Sequence, residues 1–315
     1  PALESGGIYV LEMSSYQLEI TYSITFDVAI LLNISADHLD RHGGMDGYIA
    51  AKRQIFHRQT APRTAVIGVD DEYCRAIWQE LVRQGDQIVV PISSATKLID
   101  GVYAADGYLY DATASKPQRI VELAQMPTLP GAHNWQNAAA AYASARAAGI
   151  DAETIAAALK TYPGLPHRQE RVGERDGVLF INDSKATNAD AAEKALGCYE
   201  NIYWIAGGRA KEGGIASLTP YFSRIRHAYL IGEAADSFAQ TLEGRVPYTL
   251  TRELKTAVES AHADAVRDGH RDAVVLLSPA CASFDQFRDF EARGDTFRAL
   301  VGALQGTKVP AGHRT

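Results

Sequence analysis

The sequence contains no G-x-x-x-x-G-K-[ST] string, so it carries no phosphate loop of the Walker A type. No G-x-G-x-x-G occurs either, which argues against a dehydrogenase with a dinucleotide fingerprint. No apolar run approaches the ~20 residues of a membrane-spanning helix, and no signal-peptide pattern opens the chain. Cysteine is scarce: Cys74, Cys198 and Cys281 are odd in number and widely spaced, without metal-ligand spacing. Free thiols in a reducing, cytoplasmic compartment fit that usage. Basic charge is not in excess, with 31 Lys and Arg against 38 Asp and Glu and a net charge of −7. Such a field draws in neither nucleic acid nor anionic membrane, so an anionic substrate needs a local cationic site. An initiator Met is absent too. Residues Pro1 to Gly7 run straight into apolar Ile8-Tyr9-Val10-Leu11, which reads as a chain cut from something longer.

What is present is ample for two α/β domains: 315 residues, 46% hydrophobic. Short apolar runs at Ile8–Met13, Val28–Ile34, Thr64–Val69 and Gln87–Ile92 predict strands buried on both faces of a parallel sheet. Met45–Arg58 and Asp71–Gln84 predict helices between them. Gly101–Thr113 reads as a small antiparallel hairpin, and Asn134–Gly149 and Asp151–Thr161 as helices. Two prolines and a glycine in Tyr162-Pro163-Gly164-Leu165-Pro166 mark the boundary between domains 1–164 and 165–315. Beyond it strands are expected at Val178–Ile181, Ile202–Ala206, His227–Ile231, Val246–Leu250 and Ala273–Leu277. Helices are expected at Asn188–Tyr199, Leu218–Ile225, Ala234–Thr241, Leu254–Asp268 and Phe284–Leu304. The pattern is a doubly wound sheet, the second in an α/β chain.

Ligands of such sheets bind beyond the carboxyl ends of the strands, and the polar clusters of this sequence fall there. Glu12 closes an apolar run, where an ionised carboxylate calls for a partner such as Mg²⁺ or a set of loop N–H groups. His38 follows the next run, flanked by Asp37 and Asp40, which could simply hydrogen-bond it. Lys52 sits on a helix and by default is a solvated lysine. Only the three together suggest a metal and phosphate site. Arg168 follows the domain break, where its guanidinium could grip phosphate or pair with Glu170. Asp183 and Lys185 end another strand, suited to ribose hydroxyls and to an anion, or to ordinary turn chemistry. Gly207-Gly208-Arg209-Ala210-Lys211 has the wrong spacing for a phosphate loop. Cys281 has no His near it in sequence and reads as a small buried thiol.

In order, several strings resemble the Mur ligase family, and within it the member that adds D-glutamate. They include Leu11-Glu12-Met13-Ser14-Ser15-Tyr16-Gln17-Leu18-Glu19, Asp37-His38-Leu39-Asp40-Arg41 and Tyr48-Ile49-Ala50-Ala51-Lys52. Gly131-Ala132-His133-Asn134-Trp135-Gln136-Asn137, Pro166-His167-Arg168 and Asn182-Asp183-Ser184-Lys185-Ala186-Thr187-Asn188 follow. Ser278-Pro279-Ala280-Cys281-Ala282-Ser283-Phe284-Asp285-Gln286-Phe287 ends the series. Such enzymes have an N-terminal uridine-nucleotide domain, a central mononucleotide-binding-like ATPase domain and a Rossmann-like C-terminal domain. This chain resembles the last two, without the N-terminal domain or the phosphate loop.

The resemblance implies an ATP-dependent ligase of peptidoglycan synthesis. The carboxylate of UDP-N-acetylmuramoyl-L-alanine becomes an acyl phosphate, and the amine of D-glutamate attacks it. It further implies that Glu12, His38 and a carbamylated Lys52 hold two Mg²⁺ ions. Asn137 and Asp183 would bind adenosine and Arg168 the phosphates. Lys185, Thr187, Lys211, Ser283 and Phe290 would form the D-glutamate pocket. The diaminopimelate-adding member carries an Asp-Asn-Pro-Arg string that is absent here. A monomer that binds small molecules, with no nucleic-acid or membrane partner, is expected, and residues 1–315 alone should be inactive. Other Mur ligases, a folylpolyglutamate synthase-like ligase and a catalytically silent nucleotide-binding module remain alternatives.

Overall fold

The computed structural model describes residues 6–211 and 213–305 and the two-residue strand at 308–309. Residues 1–5, the start of the Pro1–Gly7 lead-in, and Glu212 of the glycine-rich string lie outside the described residues. The chain divides into two compact units, residues 1–125 with 132–161, and residues 126–131 with 162–315.

The first unit contains β1 (Val28–Leu31), β2 (Thr64–Gly68), β3 (Ile88–Ser93), β4 (Val102–Ala105), β5 (Tyr108–Asp111) and β6 (Gln118–Glu122). They form one six-stranded sheet in sequence order. Pairs from β1 through β4 are parallel, and β4, β5 and β6 are antiparallel. The expected hairpin is therefore β4–β5, and it extends the parallel sheet. Strand β2 is buried at all positions, as its unbroken apolar run requires. Helices are α1 (Ser15–Glu19), α2 (Leu39–His42), α3 (Met45–Arg53), α4 (Glu72–Gln84), α5 (Gly131–Ala147) and α6 (Ala152–Lys160). Asp71 and Asp151 cap α4 and α6 by accepting the N–H groups of Cys74 and Thr154 at 2.9 and 2.8 Å.

Two expectations for this unit are corrected. Ile8–Met13 is not a strand: no described strand lies beside it, and Ile8 and Val10 are 67% and 90% exposed. Apolar sequence makes a strand possible, but a ladder partner makes it a strand. Helix Met45–Arg58 ends at Arg53 and tightens into a 3-10 turn over Gln54–Phe56.

The second unit contains β7 (Glu170–Arg175), β8 (Val178–Asn182), β9 (Ile202–Gly207), β10 (Arg209–Ala210), β11 (Ile225–Ile231), β12 (Tyr248–Arg252), β13 (Val274–Leu277), β14 (Cys281–Ala282) and β15 (Lys308–Val309). The main sheet runs β12-β11-β9-β13-β8-β7-β15, parallel from β12 to β8, with antiparallel β7 and β15 at one edge. Side chains alternate faces. Trp204, Leu230 and Leu276 pack with α7 (Ala189–Leu196) and α8 (Ala235–Leu242) on one face. Tyr203, Tyr229 and Val275 pack with α9 (Leu254–Asp268) and α10 (Phe290–Ala303) on the other. This is a sheet with helices on both faces.

Here Leu218–Ile225 is corrected to a 3-10 helix, Ala216–Arg224. Its internal Pro220 has no N–H for an α-helical bond. The helix expected from Phe284 starts instead at Phe290, where Asp289 caps it through the Ala292 N–H at 2.7 Å. Strand β7, Glu-Arg-Val-Gly-Glu-Arg, escaped the apolar-run criterion because it is an antiparallel strand of mixed polarity, only partly buried over its first half.

Candidate active site

In the first unit Glu12 and His38 lie just ahead of short helices, while Lys52 and Asn137 lie on α3 and α5. Glu12 is exposed, just ahead of Ser14, the N-cap of α1. The expectation of a carboxylate ending a buried strand is therefore corrected: with no strand formed, Glu12 faces solvent. His38 is the N-cap of α2 in a left-handed conformation, φ 52°. Its imidazole lies 3.4 Å from the Asp37 carboxylate and edge-on to the Tyr16 ring, centroids 5.2 Å apart. Lys52 is half-buried near the end of α3, its ammonium 5.6 Å over the Tyr48 ring. Tyr48 is buried, and burial followed by the Asp37 charge pushes its phenol pKa up.

Among the described residues no group of three His, Cys, Asp or Glu side chains forms a metal-binding cluster. One exposed carboxylate and one accessible imidazole do not make a closed protein cage. The Glu12 carboxylate does suit Mg²⁺, which keeps waters and takes much of its shell from phosphate oxygens.

Asn137 is exposed on α5, and its amide lies 3.4 Å from Asn134. Its neighbour Gln136 is buried and donates to Asp70 at 2.9 Å, which ties α5 to the loop after β2. Asp70 also accepts from the Ser94 N–H at 2.9 Å.

In the second unit Arg168, Asp183, Lys185 and Phe290 converge beyond the carboxyl end of β8. Asp183 is buried, accepting from the Ser278 hydroxyl at 2.8 Å and the Gln169 N–H at 3.1 Å. Burial pushes its pKa up to about 7, against the pull of those hydrogen bonds and of the Arg168 charge. Arg168 is exposed and does not pair with Glu170, the competing possibility. Glu170 is instead gripped by both arms of the Arg298 guanidinium at 2.7 and 2.8 Å. Lys185 is exposed, its ammonium 5.2 Å over the Phe290 ring. Thr187 is half-buried two residues on, its N–H donating to the Lys185 carbonyl at 2.9 Å. Ser283 is buried after β14, and Lys211 is exposed after β10. The β10–β14 pair joins Ala210 to Cys281 and so links their segments.

Sequence reasoning missed the residues that hold this cluster together. His167 is buried against Phe290, ring centroids 6.0 Å apart. Its Nδ1 lies 3.1 Å from the Asn182 amide, which gives the Nε2–H tautomer if that amide donates. A Cβ on Gly294 would stand 2.1 Å from the same nitrogen, so only glycine fits. Arg293 is 1% exposed and donates to the Ser184 hydroxyl and carbonyl at 3.0 and 2.8 Å and to the Cys281 carbonyl at 3.0 Å. Burial lowers its pKa to about 10. The adjacent Arg293-Gly294 was the available signal, a helical glycine marking close packing. Cys281 is buried as expected, and burial pushes its thiol up to about 12, away from any nucleophilic role at neutral pH.

These features define a class: a two-unit α/β chain with cationic and carboxylate groups gathered beyond strand carboxyl ends. Comparison narrows it. The family model Mur ligase middle domain matches residues 3–145, and Mur ligase, glutamate ligase domain matches residues 167–281. The chain is 59% identical over 97% of its length to UDP-N-acetylmuramoylalanine--D-glutamate ligase of Rhodospirillum rubrum, covering 64% of that protein. The same-named protein of Paramagnetospirillum magneticum is 59% identical over 96% of the chain, with 65% of that protein covered. MurF from Acinetobacter baumannii shares the fold, with TM-score 0.60 and 20% identity over 90% of this chain and 62% of that one. The chain belongs to the Mur ligase family. It spans about two thirds of the length of the curated relatives it matches.

Proposed function

We propose that the complete gene product joins D-glutamate to UDP-N-acetylmuramoyl-L-alanine through an amide bond, with ATP cleaved to ADP and phosphate. The observation that carries this reading is the Lys185–Phe290 pair. An exposed ammonium lies 5.2 Å over an aromatic ring beyond β8, in a chain 59% identical to proteins named for that reaction. The substrate carboxylate takes the γ-phosphoryl group from ATP, leaving ADP. The D-glutamate amine then attacks the acyl carbon, and phosphate leaves.

Lys185 and Lys211 supply cations, and Ser283 and Thr187 hydroxyls, for the two carboxylates of D-glutamate. The Phe290 ring covers its methylenes. Asn137 and Asp183 serve the adenosine, and Arg168 the phosphates during attack. Mg²⁺, as two ions, offsets the negative charge of phosphates and carboxylate when bound. Glu12, His38 and Lys52 as its carbamate are the residues that would hold it. The enzyme acts as a cytoplasmic monomer. Domains 1–164 and 165–315 carry the nucleotide and amino-acid functions, and residues 1–315 alone fold without turning over.

A parallel assay of the complete gene product with D-glutamate, L-alanine, L-lysine and meso-diaminopimelate tests the reading. D-Glutamate-dependent release of ADP and phosphate is expected. Preference for another amino acid overturns the specificity, and no ATP cleavage with any of them overturns the activity.

A further inference from the structure

The three candidate metal-holding residues stand on separate helical elements. Glu12 precedes α1, His38 caps α2, and Lys52 lies in the last turn of α3. One buried side chain that the reaction does not use connects all three elements. The His42 side chain, at the end of α2, is wholly buried, and both of its ring nitrogens are engaged. Its Nδ1 lies 2.9 Å from Glu19 Oε1, and its Nε2 lies 3.0 Å from the Ser15 hydroxyl, both partners being on α1. The ring thus ties α2 to α1 at two points, one through each nitrogen. The second Glu19 oxygen takes the Arg41 guanidinium at 2.8 Å, a second tie between α1 and α2.

The same imidazole is flanked by Tyr16 and Tyr48, with centroids at 5.6 and 5.4 Å. Tyr16 also meets the His38 ring, and Tyr48 lies under the Lys52 ammonium. Helix α3 sits directly on the His42 backbone, since a Cβ at Gly47 would stand 1.9 Å from the His42 carbonyl oxygen.

We propose that His42 is a positioning residue, holding the elements that carry Glu12, His38 and Lys52 in the arrangement that receives the divalent cation. The proposal rests on the metal role given to those three residues above. Helix α1 has five residues and α2 has four. Neither is long enough to be stable by itself, so their placement must come from tertiary contacts. Side chains that orient metal ligands from behind commonly matter about 10- to 100-fold for metal affinity.

The test uses Mn²⁺ as probe, with its affinity read by electron paramagnetic resonance on the complete gene product with ADP. His42→Leu is expected to weaken Mn²⁺ binding by about 10-fold. His42→Asn, whose amide can still donate to Glu19, should recover part of it. Amide exchange across Leu39–His42 in the metal-free protein should quicken in His42→Leu. His262→Leu, which removes another buried histidine in the second unit, controls for general loss of stability and should leave Mn²⁺ affinity unchanged. Wild-type Mn²⁺ affinity in His42→Leu overturns the proposal. If that variant does not fold, Ser15→Ala decides: weaker Mn²⁺ binding supports the proposal and unchanged binding overturns it. Glu12→Gln separates the two levels. Unchanged binding in Glu12→Gln overturns the metal reading and this proposal with it, whereas weakened binding there with none in His42→Leu overturns the positioning role alone.

Discussion

The Ser278 hydroxyl donates a 2.8 Å hydrogen bond to Asp183, a carboxylate of which only 7% is exposed. Two ends of strand neighbours β8 and β13 are thereby joined through a side chain whose proton is shared with the solvent near neutrality. Burial pushes the Asp183 pKa from 3.8 to about 7. The unfolded chain loses this proton at lower pH than the native one, so native binding of protons exceeds unfolded binding between those values. Native stability therefore falls as pH rises from about 4 to about 7, and the loss is complete above the folded pKa.

Asp183→Asn removes that titration. Relative to wild type, the variant should gain about 2 kcal/mol between pH 5.5 and 8.5. Urea unfolding at the two pH values measures it. A wild-type-minus-variant difference that does not change with pH would place the Asp183 pKa outside this range.

Gly232 has φ +67°, and a Cβ there would stand 2.1 Å from Asp285 Oδ2. That oxygen accepts the Glu233 N–H at 3.0 Å. Gln286 reaches the Arg252 carbonyl at 2.8 Å. These contacts hold the loop between Ser283 and Phe290 against the turn after β11 and the end of β12. Gly232→Ala should destabilise by about 2–3 kcal/mol, combining left-handed strain with displacement of Asp285. It should raise KM for D-glutamate more than KM for ATP. Equal effects on both substrates would show that this loop does not serve the amino-acid pocket.

Lys52 as an ammonium would repel Mg²⁺, whereas its carbamate offers a hard anionic oxygen. Lys52→Ala in the complete gene product should lose most activity, and formate or acetate should restore part of it by filling the space. Rescue by a small amine instead would mean that the lysine acts as a cation.

Much of the fold was legible because parallel strands covered on both faces must be apolar at nearly every position, as in β2, β9 and β13. Helix starts were legible where an Asp or Asn cap precedes the periodic stretch, as at Asp71, Asp151 and Asn188. The polar strings placed Asp183 and Lys185 beyond a strand end. What they could not supply was the partner of each group. Ile8–Met13 has the composition of a strand but pairs with no strand among the described residues, while mixed β7 is a strand because β8 pairs with it. Arg293 belongs at the surface by residue type, yet the Ser184 and Cys281 carbonyls, both distant in sequence, bury it. His42 carries no signal in its own sequence neighbourhood, and is buried because Ser15 and Glu19 on α1 meet its two nitrogens. Local sequence determined which segments would be strand, helix or turn, since those depend on periodicity and caps a few residues apart. Tertiary structure alone decided burial of charge and pairing of polar groups, because the partners that offset desolvation come from residues far along the chain.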